Sequence, residues 1–142
     1  MGHEEERRRK IQGSNSRGER AAPRTVWVVE DDEILSGNLR LYLERSGWAV
    51  DVCPSAELAL AMLETAQPDI VLTDYLLPGK TGLDLLKGVI AVAPQVKVVM
   101  LTGNGDAQIA VETMKAGAFD YLVKPFPLND LVAVLRKALA SS

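Results

Sequence analysis

The sequence predicts a doubly wound α/β sandwich, a parallel sheet with helices packed on both faces. Three observations carry this. Strand-like and helix-like segments alternate from Thr25 onward, five of each. Three strand segments are runs of Val, Ile and Leu with little alternation, as expected when both sheet faces are covered. Polar residues then stand at the carboxyl ends of three strands, the edge where open α/β sheets hold their ligands.

The elements follow in order. Val26-Trp27-Val28-Val29 marks a strand over 25–30. Asp32 is placed to cap the next helix, 33–45, with Glu33 in its first turn. Leu35, Leu39, Tyr42 and Leu43 give that helix an apolar stripe at helical spacing, and Gly47 suits its C-terminal cap. A second strand is expected over 49–53, and Ser55 caps a helix over 55–66. The third strand, 69–73, ends in Ile70-Val71-Leu72-Thr73 and delivers Asp74 to its carboxyl end. Tyr75-Leu76-Leu77-Pro78-Gly79 reads as a loop before a helix over 82–92. The fourth strand, 96–101, is followed by Thr102 and a helix over 106–116, for which Gly117 suits the cap. The fifth strand, 119–123, leads into Lys124-Pro125, and Pro127 suits the first turn of a last helix over 127–140. Two strand orders are open for such a chain. The flavodoxin-like order 2-1-3-4-5, a three-layer (βα)5 sandwich, is the common one for five strands and makes strands 1 and 3 neighbours at the switch point.

The 142 residues suffice for one domain with a full core, and 47% hydrophobic content excludes a largely disordered chain. One folded domain is expected over 24–142, preceded by a disordered extension over 1–23. The tail to residue 24 holds seven Lys/Arg and four Asp/Glu, a net +3, and the remainder nine and fifteen, a net −6. Arg7-Arg8-Arg9-Lys10 is offset by the adjacent Glu4-Glu5-Glu6, so a solvated charge run is favoured over a nucleic-acid contact. The acidic body argues against direct nucleic-acid binding by the folded domain. No apolar stretch approaches the roughly 20 residues that span a bilayer, and no signal-peptide core follows the first charges. The single Cys53 excludes an internal disulfide, and the expected location is the cytoplasm.

Glu30, Asp31 and Asp74 converging on one crevice would repel one another unless a proton is shared or a cation bound. Mg2+ is the natural cation: hard, octahedral, and satisfied by one or two carboxylates, waters and phosphate oxygens. Lys124 supplies a point charge at the same edge, able to pair with Asp74 at rest. Thr102 offers a hydroxyl donor, with Gly103 and Gly105 leaving room beside it. There is no glycine-rich nucleotide loop, no Cys/His metal cluster, and no Ser-His-Asp set with the lone His3 in the tail.

Four ordered segments together resemble the receiver domains of bacterial two-component response regulators. They are Val28-Val29-Glu30-Asp31-Asp32, Thr73 to Gly82, Met100-Leu101-Thr102-Gly103, and Gly117 to Phe126, and the resemblance covers about residues 24–140. The resemblance implies that Asp74 is the phosphoacceptor, taking the group from a sensor histidine kinase or phosphotransfer protein. It implies that Asp31, Asp74 and the backbone carbonyl of Leu76 ligate Mg2+, with Glu30 acting mainly through a metal-bound water. Thr102 and Lys124 would contact the phosphoryl group. Tyr121 would be the switch aromatic, moving inward as Thr102 is drawn to the phosphoryl. Lys124-Pro125 is expected to be cis. The surface of the fourth helix, fifth strand and fifth helix would carry the output, including a possible homodimer, and the relatives in question control transcription. Leu76 and Asn104 would flank the path of a hydrolytic water.

Rivals of other classes fit less well. A haloacid-dehalogenase-like phosphatase wants an acid two residues after the first Asp, where Leu76 stands. A flavin carrier of the same topology wants a phosphate-binding loop after the first strand, where three acids stand. A scaffold that is never phosphorylated would be favoured by loss of Asp74 or Lys124, and both are present.

Overall fold

The computed structural model describes residues 24–103 and 106–141. The expected extension over 1–23, and the residues Asn104 and Gly105, lie outside the described residues.

The chain runs β1 (Thr25–Val29), α1 (Glu33–Arg45), β2 (Ala49–Cys53), α2 (Ala56–Met62), β3 (Ile70–Asp74), α3 (Gly82–Val92), β4 (Lys97–Thr102), α4 (Ala107–Lys115), β5 (Asp120–Val123) and α5 (Leu128–Ala140). All four strand pairings are parallel, and the order is β2-β1-β3-β4-β5, the flavodoxin-like arrangement.

Strand side chains alternate between faces, and the core divides accordingly. Val26, Val28, Ile70, Leu72, Val99 and Leu101 meet Leu39 and Leu43 of α1 and Leu131 and Leu135 of α5. Trp27, Val29, Val71, Val98 and Met100 meet Ala59 of α2 and Leu85, Leu86 and Val89 of α3. Each fully buried Leu contributes roughly 1.5–3 kcal/mol. A one-residue slip would drive Trp27 into the α1/α5 layer, so this packing fixes the register. The register in turn fixes which strand ends are neighbours: Val29 opposes Thr73, Asp74 opposes Leu101, and Thr102 opposes Val123.

Caps act where the sequence places them. Asp32 accepts from the amides of Ile34 and Leu35, at 3.0 and 3.2 Å. Ser55 accepts from Leu58 N–H at 3.1 Å. Gly47 and Gly117 adopt positive φ, 97° and 110°, the left-handed region a helix C-terminus exploits. The Lys124-Pro125 peptide is cis.

Several boundaries differ from expectation. α2 ends at Met62 rather than residue 66, because Glu64 and Thr65 donate three residues back, to Ala61 and Met62, and tighten the chain into turns. Asp74 and Thr102 belong to their strands rather than following them, since each is still paired across the ladder. Pro127, with ψ 142°, is the extended cap residue of α5 and not its first helical residue. Among the described residues, no helix is long and apolar enough to cross a membrane. Cys53 is buried, donates to Ser55 O at 3.3 Å, and burial pushes its thiol pKa up, which fits a packing role.

Thr113 of α4 is fully buried, and its Oγ1 has no hydrogen-bond partner among the described residues. Thr113→Val keeps the shape and removes the uncompensated hydroxyl. It is expected to stabilise the fold by about 1 kcal/mol. A urea midpoint at or below that of the wild type would refute this.

Candidate functional site

The carboxyl edge of β1, β3 and β4 gathers the polar residues. Glu30 directly follows β1 and is held by its own N–H donating to Cys53 O of β2 at 2.9 Å. It is 3% exposed, and its Oε2 accepts from Asp32 N–H at 3.1 Å. Asp74 ends β3 and is 8% exposed, whereas Asp31 faces solvent. One carboxylate oxygen from each of Glu30, Asp31 and Asp74 lies within 4.8 Å of the others. The third consecutive acid, Asp32, directs its carboxylate to the α1 amides instead.

Lys124 enters from the far side. Its N–H donates to Thr102 O at 2.8 Å, extending the β4–β5 ladder by one residue. Its Nζ stands 3.0 Å from Asp74 Oδ1 and 3.6 Å from Glu30 Oε1. Glu30 Oε1 is buried and has no hydrogen-bond partner among the described residues. Burial raises the Glu30 pKa above the usual carboxylate range, and the negative charges of Asp74 and Asp31 add to this. The Asp32 amide and Lys124 oppose it.

Charge balance tests the fit to a divalent cation. With all groups ionised, three carboxylates face one ammonium, leaving a formal −2 at a partly buried edge. The donors are hard oxygens, and one buried oxygen, though 3.6 Å from the Lys124 ammonium, has no hydrogen-bond partner among the described residues. This set suits Mg2+.

Thr102 ends β4, is 1% exposed, and its hydroxyl has no partner among the described residues. A buried donor without an acceptor is costly unless an incoming group satisfies it. Alternation puts Thr102 on the same sheet face as Met100 and Tyr121. Tyr121 is half-buried and lines a groove of about 410 Å³ with Ala107, Ala110, Val111 and Met114 of α4. Leu76, two residues past Asp74, turns its side chain to solvent at 66% exposure.

Sequence reasoning missed the residues that hold the loop from Tyr75 to Thr81. Tyr75 N–H donates to Leu101 O at 2.9 Å, and Gly82 N–H donates to Tyr75 O at 2.8 Å. Thr81 and Asp84 form a capping box: Thr81 N–H donates to Asp84 Oδ2 at 2.9 Å and Asp84 N–H to Thr81 Oγ1 at 3.2 Å. The Thr81 amide holds the Asp84 carboxyl below its ordinary pKa. The spacing Thr81-Gly82-Leu83-Asp84 was a legible capping signal. Glu57 of α2, which accepts from Lys80 N–H at 3.0 Å, had no such signal.

Comparison with known proteins points one way. The family model described as the response regulator receiver domain matches residues 26–136. The chain is 36% identical over 115 residues to the DNA-binding transcriptional regulator NtrC of Salmonella typhimurium, covering 81% of this chain and 24% of that protein. It is 38% identical over 117 residues to the transcriptional regulatory protein FixJ of Azorhizobium caulinodans, covering 82% of this chain and 56% of FixJ. The chain thus spans about a quarter to a half of the length of these relatives. Among solved structures, the receiver domain of NtrX from Brucella abortus superposes with a TM-score of 0.78 at 31% identity, covering 82% of this chain and 99% of that one. A response regulator receiver domain protein from Clostridium thermocellum gives 0.78 at 32% identity, covering 82% and 94%.

Proposed function

The chain belongs to the response regulator receiver domain family, and on that premise we propose that it is a phosphorylation switch whose acceptor is Asp74. The observation that carries the reading is the grip of Lys124 on the buried Asp74 carboxylate within the Glu30–Asp31–Asp74 cluster.

An Asp74 carboxylate oxygen attacks the phosphorus of a phosphohistidine. The new bond is O–P, the N–P bond breaks, and the imidazole leaves with its electron pair. Asp31, Asp74 and the Leu76 carbonyl would hold Mg2+, with Glu30 beside them. When bound, the ion neutralises charge on the transferring group. Lys124 shifts its ammonium from the Asp74 carboxylate to a phosphoryl oxygen. Thr102 turns its unpartnered hydroxyl onto another oxygen of the same group. Phosphorylation adds roughly −1.5 to −2 charge, which these donors answer locally. As Thr102 is drawn in, Tyr121 follows from the α4 groove, and the α4–β5–α5 surface changes shape. Val111, Met114 and Val123 are exposed apolar residues on that surface, at 47%, 41% and 40%, and support a pairing of two copies there.

The donor is a sensor histidine kinase or a phosphotransfer protein. An apolar groove lined by Leu35, Leu39, Pro125, Phe126 and Leu128 opens beside Lys124 and suits such a partner. The output is control of transcription, as the names of NtrC and FixJ state for those proteins. The domain modifies only itself and turns over no separate substrate. It works in the cytoplasm, and its acidic body makes no direct nucleic-acid contact.

Intact mass after incubation with Mg2+ and acetyl phosphate tests the reading. One added phosphoryl group, lost when EDTA is present, is the expected result. No addition from acetyl phosphate or from a cognate kinase would leave an interaction module instead. Leu76 bears on the lifetime of the product. Its apolar, exposed side chain cannot orient water, so the phosphoryl group is expected to last minutes or longer. Leu76→Asn should shorten that lifetime severalfold, followed by mass after donor removal, and an unchanged decay would count against the idea.

A further inference from the structure

The loop that leaves Asp74 is fixed at both ends but thinly held between them. Tyr75 is tied to Leu101 and Gly82, and Thr81 to Asp84. Leu77 packs on the core, while Leu76, Pro78, Gly79 and Lys80 are exposed. Among the described residues, the hydrogen bond that ties 76–80 to another element is Lys80 N–H to Glu57 Oε2, 3.0 Å, across 23 positions of sequence.

The contact is close-fitting. Gly79 has φ +80°, and a Cβ built there would fall 2.5 Å from Glu57 Oε2 and 3.3 Å from its Cδ. The carboxylate therefore lies directly against the bare Gly79 backbone. Glu57 stands in the first turn of α2, whose N-terminal dipole favours a carboxylate. The Lys80 amide, first among its contacts, holds the Glu57 carboxyl below its ordinary pKa, so the group is charged and accepting at neutral pH.

We propose that Glu57 is a positioning residue for the metal-binding edge: by tethering Lys80 to α2 it fixes the backbone of the loop, and with it the Leu76 carbonyl, relative to Asp74. It touches neither the ion nor the phosphoryl group. The proposal rests on reading the acidic cluster as a Mg2+ site. Groups hydrogen-bonded to a metal ligand itself typically cost roughly 10–100-fold in metal affinity when removed, and Glu57 acts one step further out, through Lys80. With one backbone ligand involved, the lower end applies.

The test uses the whole chain and Mg2+ alone as probe. Titration calorimetry is expected to show about tenfold weaker Mg2+ binding in Glu57→Ala, with a melting temperature close to that of the wild type. Glu57→Gln retains an acceptor oxygen at the same reach and is expected to bind Mg2+ nearly as the wild type does. Amide exchange at Lys80, measured without metal, should quicken in Glu57→Ala and stay slow in Glu57→Gln. Equal Mg2+ affinity in wild type and Glu57→Ala overturns the proposal, as does a Gln variant as weak as the Ala one. A wild type that binds no Mg2+ would instead sink the metal-site reading, and Lys80 exchange would still decide whether Glu57 holds the loop.

Discussion

Asp74→Asn is expected to abolish phosphoryl incorporation from acetyl phosphate while leaving the fold intact. The substitution is nearly isosteric, so the end of β3 and its pairing opposite Leu101 are retained. The amide lacks the anionic oxygen that attacks phosphorus. Its effect on stability is small for an electrostatic reason. Glu30, Asp31 and Asp74 crowd within 4.8 Å of one another, with Lys124 paired to two of them, so removing one negative charge relieves repulsion. Lys124 keeps Glu30 as a neighbour, at 3.6 Å. The variant should therefore unfold at no lower urea concentration than the wild type. Its Mg2+ affinity should fall by more than about tenfold, since loss of even a supporting partner costs that much. Intact mass checks the first expectation, and full labelling of the variant would remove Asp74 as acceptor.

Gly82→Ala is expected to be severely damaging for a single added methyl. A Cβ at Gly82 would collide with the Asp74 carbonyl oxygen, and would also lie 2.8 Å from Met100 Sδ and 2.9 Å from Tyr75 Cα. Two of these neighbours are backbone of the strand end and loop that carry the site, and neither can swing away as a flexible side chain would. The Gly82 N–H to Tyr75 O bond, 2.8 Å, holds the two segments at this spacing. Relief requires moving α3 off Asp74 or bending the β3 end. Overpacking of this kind costs about 3 kcal/mol. Urea unfolding should show that loss, and Mg2+ binding should weaken with it because Asp74 moves. A change below about 0.5 kcal/mol, the range of an innocuous surface substitution, would show that the contact relaxes freely.

The elements of this fold were legible because their signals are local. The Val-rich runs, the Asp32 and Ser55 caps, and Gly47 and Gly117 all act within a few residues of where they stand. The strand-end positions of Glu30, Asp31, Asp74, Thr102 and Lys124 followed from the same segments. Apolar spacing overextends α2, whose end depends on how the chain turns toward β3. Pro127 lies one residue outside the expected helix, because proline suits both the cap and the first turn.

The sequence by itself determined the order of elements, the chemistry at each strand end, and the family in which that chemistry recurs. Only the tertiary structure decided what meets what. It turned Asp32 away to the helix amides and left Glu30 and Asp31 with Asp74. It gave Lys124 two carboxylates and left the Thr102 hydroxyl buried without a partner among the described residues. It laid Glu57 against Gly79 and Gly82 against Asp74. Periodicity and capping arise from neighbours along the chain, whereas these contacts are set by sheet register and loop path, which join residues that sequence distance keeps apart.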